Sequence, residues 1–356
     1  RMKKNSRFLL LGLGHGLNDL VAGYFLGSIV QDNADLLQAG TGLLIYNLLA
    51  FGGQYPVALW LEKISSPKKA LLFAYLLNIA AISSFAFIPQ LSIVLAGIAS
   101  AIYHVAGGTV CAETNKATNI GLFAAPGVAG LILGGYFAFA GYDIIIVLLL
   151  SALFFFFILT RLRLGVKITR ENDKSGIPGK FHLDHHDLVM ILLLTVISLR
   201  SVVWNVFQML HEKNYSWLIA IAIAAFIGKL IGGWMADKIG WRLYLFISLM
   251  TATPLISFFR NELILFCIGI GLLQSGIPAT TALLIRSLGG KTERGIGLAF
   301  GTAIILGAIS FYAPVRLLIS TNFMVCSIVL VMGILIYITG RKERKATKHL
   351  NSTILG

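Results

Sequence analysis

Five ionisable side chains fall deep inside long apolar runs of this sequence: His15, Asp19, His104, Arg200 and Lys229. His15 and Asp19 are four residues apart and Asn18 is three from His15, so one helical face would carry all three. An imidazole beside a carboxylate is a pair able to gain and lose a proton near neutral pH. The same face also suits a static hydrogen-bond network that pins the helix. His104 is either a further proton-coupling group or a packing histidine, with Gly107 and Gly108 marking a close helix approach beside it. Arg200 is followed by Trp204, Asn205 and Gln208 at i+4, i+5 and i+8, a face that combines a guanidinium fork for a planar or phosphate-like anion with an aromatic wall and amide donors. Lys229 and Gln274, from two other segments, would complete a polar rim for a small-molecule substrate. The competing reading is that Arg200 or Lys229 only neutralises Asp19 in an internal ion pair.

The elements that must position these groups are set by composition. Of 356 residues 57% are hydrophobic and 12% charged, and mean hydropathy is +0.84, whereas soluble domains carry about 25% charged residues. Apolar segments fall at 8–30, 39–61, 70–88, 91–112, 118–140, 143–160, 188–210, 215–236, 243–259, 262–285, 295–319 and 322–340. Each can cross about 30 Å of hydrocarbon, so the expected solvent is a lipid bilayer and the fold is all-α with twelve transmembrane helices. Alternate connections carry 24 of the 29 lysines and arginines, the opposite ones only Lys213 and Arg260. By the positive-inside rule both termini and the 161–187 connection are cytoplasmic, in a plasma or inner membrane. The net charge of +14 therefore belongs to loops, and nucleic acid is excluded as a partner. Cys111, Cys267 and Cys326 have no metal or disulfide spacing. The opening Arg1-Met2-Lys3-Lys4 imitates a signal peptide, but the polar residues after it place it before helix 1. Runs such as Phe154 to Phe157 read as lipid-facing. No cofactor or resident metal is expected, and a monomer is.

The 161–187 stretch is the only long polar connection, and it divides the chain into six-helix bundles at 1–160 and 188–340, with a basic tail at 341–356. Gly233-Trp234-Met235-Ala236-Asp237-Lys238-Ile239-Gly240-Trp241-Arg242 is similar to the loop signature G-x-x-x-D-K/R-x-G-x-R/K of the major facilitator superfamily. Its Asp237, Lys238 and Arg242, with Gly233 and Gly240, could clamp neighbouring helix ends in one conformer and release them in another. The first-half counterpart at 62–69, EKISSPKK, lacks the pattern, and no matching clamp is expected there. Gly14-His15-Gly16-Leu17-Asn18-Asp19 and Ser100-Ala101-Ile102-Tyr103-His104 resemble segments of the fosmidomycin-resistance-type exporters, whose relatives usually follow the histidine with Pro-Glu where this chain has Val105-Ala106. Gly121-x3-Ala125-Pro126-x2-Ala129-Gly130 looks like a degraded proton-antiporter motif or a simple close-packing helix. The resemblance implies two pseudo-repeat bundles with spans 3, 6, 9 and 12 at the periphery. Those four carry no charged residue away from their ends.

The resulting expectation is a secondary transporter working by alternating access, which couples protons to the efflux of a small anionic or amphipathic drug or metabolite, as an antiporter. Divalent-metal export through His15, Asp19 and His104 is the alternative, opposed by two fixed cations in the same cavity. A non-transporting sensor or an intramembrane enzyme is the reading from another class, but no nucleophile stands beside a recognisable base. The cluster His182-Leu183-Asp184-His185-His186-Asp187 reads as a solvated linker entering helix 7, with metal regulation as the minor alternative.

Overall fold

In lipid every backbone N–H and C=O must be satisfied inside its own segment, so apolar runs of this length fold as helices. The computed structural model describes residues 6–32, 36–164, 185–210 and 214–354, and among the described residues there is no strand. Twelve helical spans follow the twelve apolar segments: α1 (Ser6–Asp32), α2 (36–64), α3 (Pro67–Ser84), α4 (Pro89–Ala112), α5 (Ala117–Phe139), α6 (Ile145–Arg161), α7 (His185–Leu210), α8 (Tyr215–Ile239), α9 (Trp241–Phe258), α10 (Leu263–Ser287), α11 (292–319) and α12 (Asn322–Ile354). Ten contain stretches long and apolar enough to cross a membrane. The other two are α6, at 17 residues, and α3, whose first turn holds Lys68 and Lys69.

Local chemistry fixes the ends. Ser65 closes α2 at φ 51° with its N–H on the Leu61 carbonyl, and Pro67 and Pro89 open α3 and α4, where a missing N–H costs no helical bond. Gly240 turns α8 into α9 at φ 96°, a region that favours glycine. The helix of α12 continues past Gly340 through the basic segment expected to be a separate tail, because no proline or glycine interrupts it before 354. Phe154 and Phe157 face outward, but Phe155 is buried and stacks on Tyr75, so that run is not uniformly lipid-facing.

Three spans are interrupted where they meet the centre of the bundle. Both α2 and α11 contain a π-helical turn, at Leu48–Gly52 and Leu298–Thr302, and α10 breaks at Gly276 between Leu263–Ser275 and Ile277–Ser287. The halves join along two seams. On one side α5 lies against α8 over its whole length, from Ala117 against Gly233 to the Phe139 and Tyr215 rings, 5.7 Å apart, at the other end. On the other side α2 meets α11 through Gly297 on Ala58 and Gly301 on Gln54.

Candidate proton and substrate site

α1 and α5 approach so closely that a methyl group on Gly130 would collide with the Gly16 carbonyl, and this is where the small residues of the 121–130 motif act. Pro126 cannot donate to the Leu122 carbonyl, and its ring loosens that turn of α5. The Phe123 carbonyl on the same turn accepts from His15 Nδ1 at 2.8 Å, and the Phe123 ring stacks on the imidazole at 4.6 Å.

His104 of α4 meets His15 edge-on, with the two Nε2 atoms 2.8 Å apart, while its Nδ1 donates to the Ser100 carbonyl at 2.7 Å. A hydrogen shared between the two Nε2 atoms fits a contact of 2.8 Å, and the Ser100 hydroxyl, 3.1 Å from His104 Nδ1, is a second partner on that ring. Asp19 Oδ2 lies 3.2 Å from His15 Nε2 and 3.9 Å from His104 Nε2. Asp19 Oδ1 accepts from Asn18 Nδ2 at 3.0 Å, and Asn18 Oδ1 accepts from Asn78 of α3 at 2.7 Å. Asn78 thus braces the site from α3, a span that, like α6, α9 and α12, contributes no residue to the lining of the cavity between the halves. Tyr46 of α2 donates to Ser100 Oγ at 3.3 Å. The nitrogen and oxygen ligand atoms of His15, Asp19 and His104 all lie within 4.8 Å of one another, close enough that the group could hold a metal ion.

These three residues line one wall of a cavity of about 380 Å³ between the halves. Across it stand Arg200, Trp204, Asn205, Lys229 and Gln274; the side chain of Gln208 lies outside the described residues, as do residues 182–184 of the histidine cluster. Among the described residues Asp19 is the sole carboxylate of the lining, and neither Arg200 nor Lys229 comes within 4 Å of it. Lys229 Nζ has a long contact of 3.5 Å with the Ala124 carbonyl. Arg200, 2% exposed, sits just beneath the wall with Nη2 on Thr280 Oγ1 at 3.0 Å, in space that Gly276 leaves free; its Nε and Nη1 have no partner among the described residues. Asn205 Nδ2 donates to the Gly307 carbonyl at 3.3 Å, tying α7 to α11.

Below the cavity the halves are locked together. Asp237 accepts from Ala117 N, Thr118 N, Thr118 Oγ1 and Trp241 Nε1 at 2.6–2.9 Å, so it caps the N-terminus of α5 from the opposite half. Lys238 lies over the Trp234 ring at 3.6 Å, and Arg242 packs against Gly340 of α12. The expectation of no clamp at 62–69 is corrected. Glu62 takes Arg294 Nε and Nη2 in a bidentate pair at 2.7 and 2.9 Å, bridging α2 to α11. The motif was missing but its chemistry was not, since one carboxylate at a helix end is enough when an arginine faces it.

No protein-family model matches the chain, and no curated protein matches it. Among solved structures it is similar to a major facilitator superfamily transporter, FucP, in the outward conformation, with a TM-score of 0.71 and 14% identity over 95% of this chain and 96% of that one. It is also similar to the human organic anion transporter MFSD10 (TM-score 0.66, 13% identity, 94% and 100% covered). A third is a bacterial homologue of the iron transporter ferroportin in an outward-facing state (0.63, 13%, 96% and 100%). The chain has the all-α membrane fold of major facilitator transporters.

Proposed function

We propose that this protein is a secondary transporter of small organic anions in which the His15–Asp19–His104 triad carries the coupling proton and Lys229, backed by Arg200, receives the anion. One observation carries the reading. Among the described residues the only carboxylate lining the cavity is engaged with the histidine pair, so two cations face the cavity without a carboxylate partner there. Each costs about 2.5–3.5 kcal/mol at the centre of a membrane even on a lenient scale, and an anion would offset both.

The sign of coupling follows from the same charges. When the shared proton leaves, the two Nε2 lone pairs face each other and the rings must part. Asp19 then loses its cationic partner and its charge competes with the substrate for Lys229. Proton and anion thus favour the same state, which supports their moving together. The export and antiport implied by the fosmidomycin-type resemblance would need them to exclude one another. With the termini in the cytoplasm, the locked end is the cytoplasmic one and the cavity faces outward.

Anions are to be screened by thermal shift on the purified protein, since a ligand stabilises the state it binds, and the best is followed by flux into proteoliposomes. Uptake should be accelerated by an inward proton gradient in wild type and be indifferent to it in Asp19→Asn. Binding without flux would make the protein a sensor. Divalent-cation transport is favoured only by the spacing of the triad's ligand atoms; metal-dependent flux with no anion response would establish it instead.

A further inference from the structure

The two seams between the halves are not equivalent. Along α5 and α8 contact runs the full depth of the bundle. Along α2 and α11 it stops at mid-depth, where Ile305 Cδ1 lies against Gly52, at the level of the paired π-helical turns. A π turn displaces the helix axis locally, and two of them opposite one another let the distal segments diverge. Among the described residues the distal parts of α2 and α11 are not packed on one another as the proximal parts are, and Leu44, Leu48, Leu306 and Ile309 are all more than half exposed. Leu43 both lines the cavity and is 38% exposed, so it stands in the opening, with Ala308 lining the cavity from the other side.

We infer that the cavity opens sideways to lipid between the distal halves of α2 and α11, and that its ligand is a single-chain amphiphile with its anionic head at Lys229 and its tail in this cleft. The inference rests on the anion reading above and extends it to a class of substrate. Charge complementarity selects the head. The tail is selected by apolar side chains such as Phe51, Ile304 and Ile305; Asn47 and Asn205 on the same lining offer neutral amides but no charge to pair with a second charged end. Lipid tails could reach the cleft at the level of the distal leaflet without crossing the headgroup region twice.

The test uses full-length protein in lipid nanodiscs and an alkyl phosphate series from butyl to dodecyl, with affinity referred to the free aqueous concentration. Affinity should rise about fourfold for each added methylene. Leu43→Gln and Ala308→Gln should weaken dodecyl phosphate at least tenfold and leave butyl phosphate unchanged, whereas Lys229→Gln should weaken both alike. On unsubstituted protein, a dodecyl phosphate with a terminal pyrene should be quenched by brominated lipid when bound. A flat series, or bound pyrene that brominated lipid does not reach, overturns the lateral opening and leaves the anion reading standing. Failure of every chain length to bind, with no effect of Lys229→Gln, overturns both.

Discussion

At Gly127 the chain has no room for a methyl group: a Cβ there would lie 2.6 Å from the His15 ring and 2.7 Å from Asp19 Oδ2. Gly127→Ala should therefore push the triad apart at a cost of about 1–3 kcal/mol. Proton-driven uptake should fall at least tenfold while insertion and folding, read by gel filtration in detergent, persist. Wild-type coupling in this variant would mean that the triad geometry is not what couples. The polar face of α1 was legible because charges in an apolar run stand out and a spacing of four puts them together. Asn78 was not, since uncharged polar residues are common in such helices and nothing in sequence says which way they point; Ser100 stood in the segment that ends at His104, but its contacts with Tyr46 and His104 could not be read there. The Phe123 carbonyl has no side-chain signature at all, although Pro126 three residues on marks a turn where a carbonyl can be diverted.

Helix ends carry the conformational change in this account. The Glu62–Arg294 pair is between a quarter and a third exposed, so its contribution to locking α2 on α11 is about 1 kcal/mol, or roughly fivefold in the closed population. Glu62→Gln should raise labelling of a cysteine placed at Ile296, which is buried against Gly108 of the other half, by that factor, and Glu62→Arg with Arg294→Glu should restore the protection; no recovery in the swapped protein would argue against the pair as a lock. A second group at this end responds to pH. Burial, together with the nearby Glu293 and in spite of Arg7, raises the Glu113 carboxyl from 4.5 to about 7. The closed end therefore holds the proton more tightly than an open, hydrated one would. Closure carries no penalty below about pH 4.5, weakens as pH climbs through 7, and changes little above that. Labelling at position 296 should rise over this window in wild type and rise less steeply in Glu113→Gln, where Glu293 remains beside it; an unchanged slope in the variant would assign the response to another group. The Asp237 clamp could be anticipated from its loop motif. Glu62 could not, because its partner lies 232 residues away.

Across the whole molecule, hydropathy was sufficient for the twelve helical spans, because the bilayer permits little but helices; the orientation expected from the 24-to-2 division of basic residues is a separate prediction. Which helices part and which stay packed was not legible, since the π turns of α2 and α11 depend on tertiary contacts that no local pattern encodes. Reporter fusions after Lys180 and after Gly340 should both report the cytoplasm; a periplasmic or extracellular signal at either would reverse the orientation of the cavity. The central claim, that one proton on the triad and one anion at Lys229 favour the same state, is tested most directly by calorimetric titration of the best-binding anion in buffers of different ionisation enthalpy. Binding to wild type should take up protons, and Asp19→Asn and His104→Gln should abolish the uptake. Release of protons on binding would contradict the claim and restore exchange of proton for anion as the mechanism.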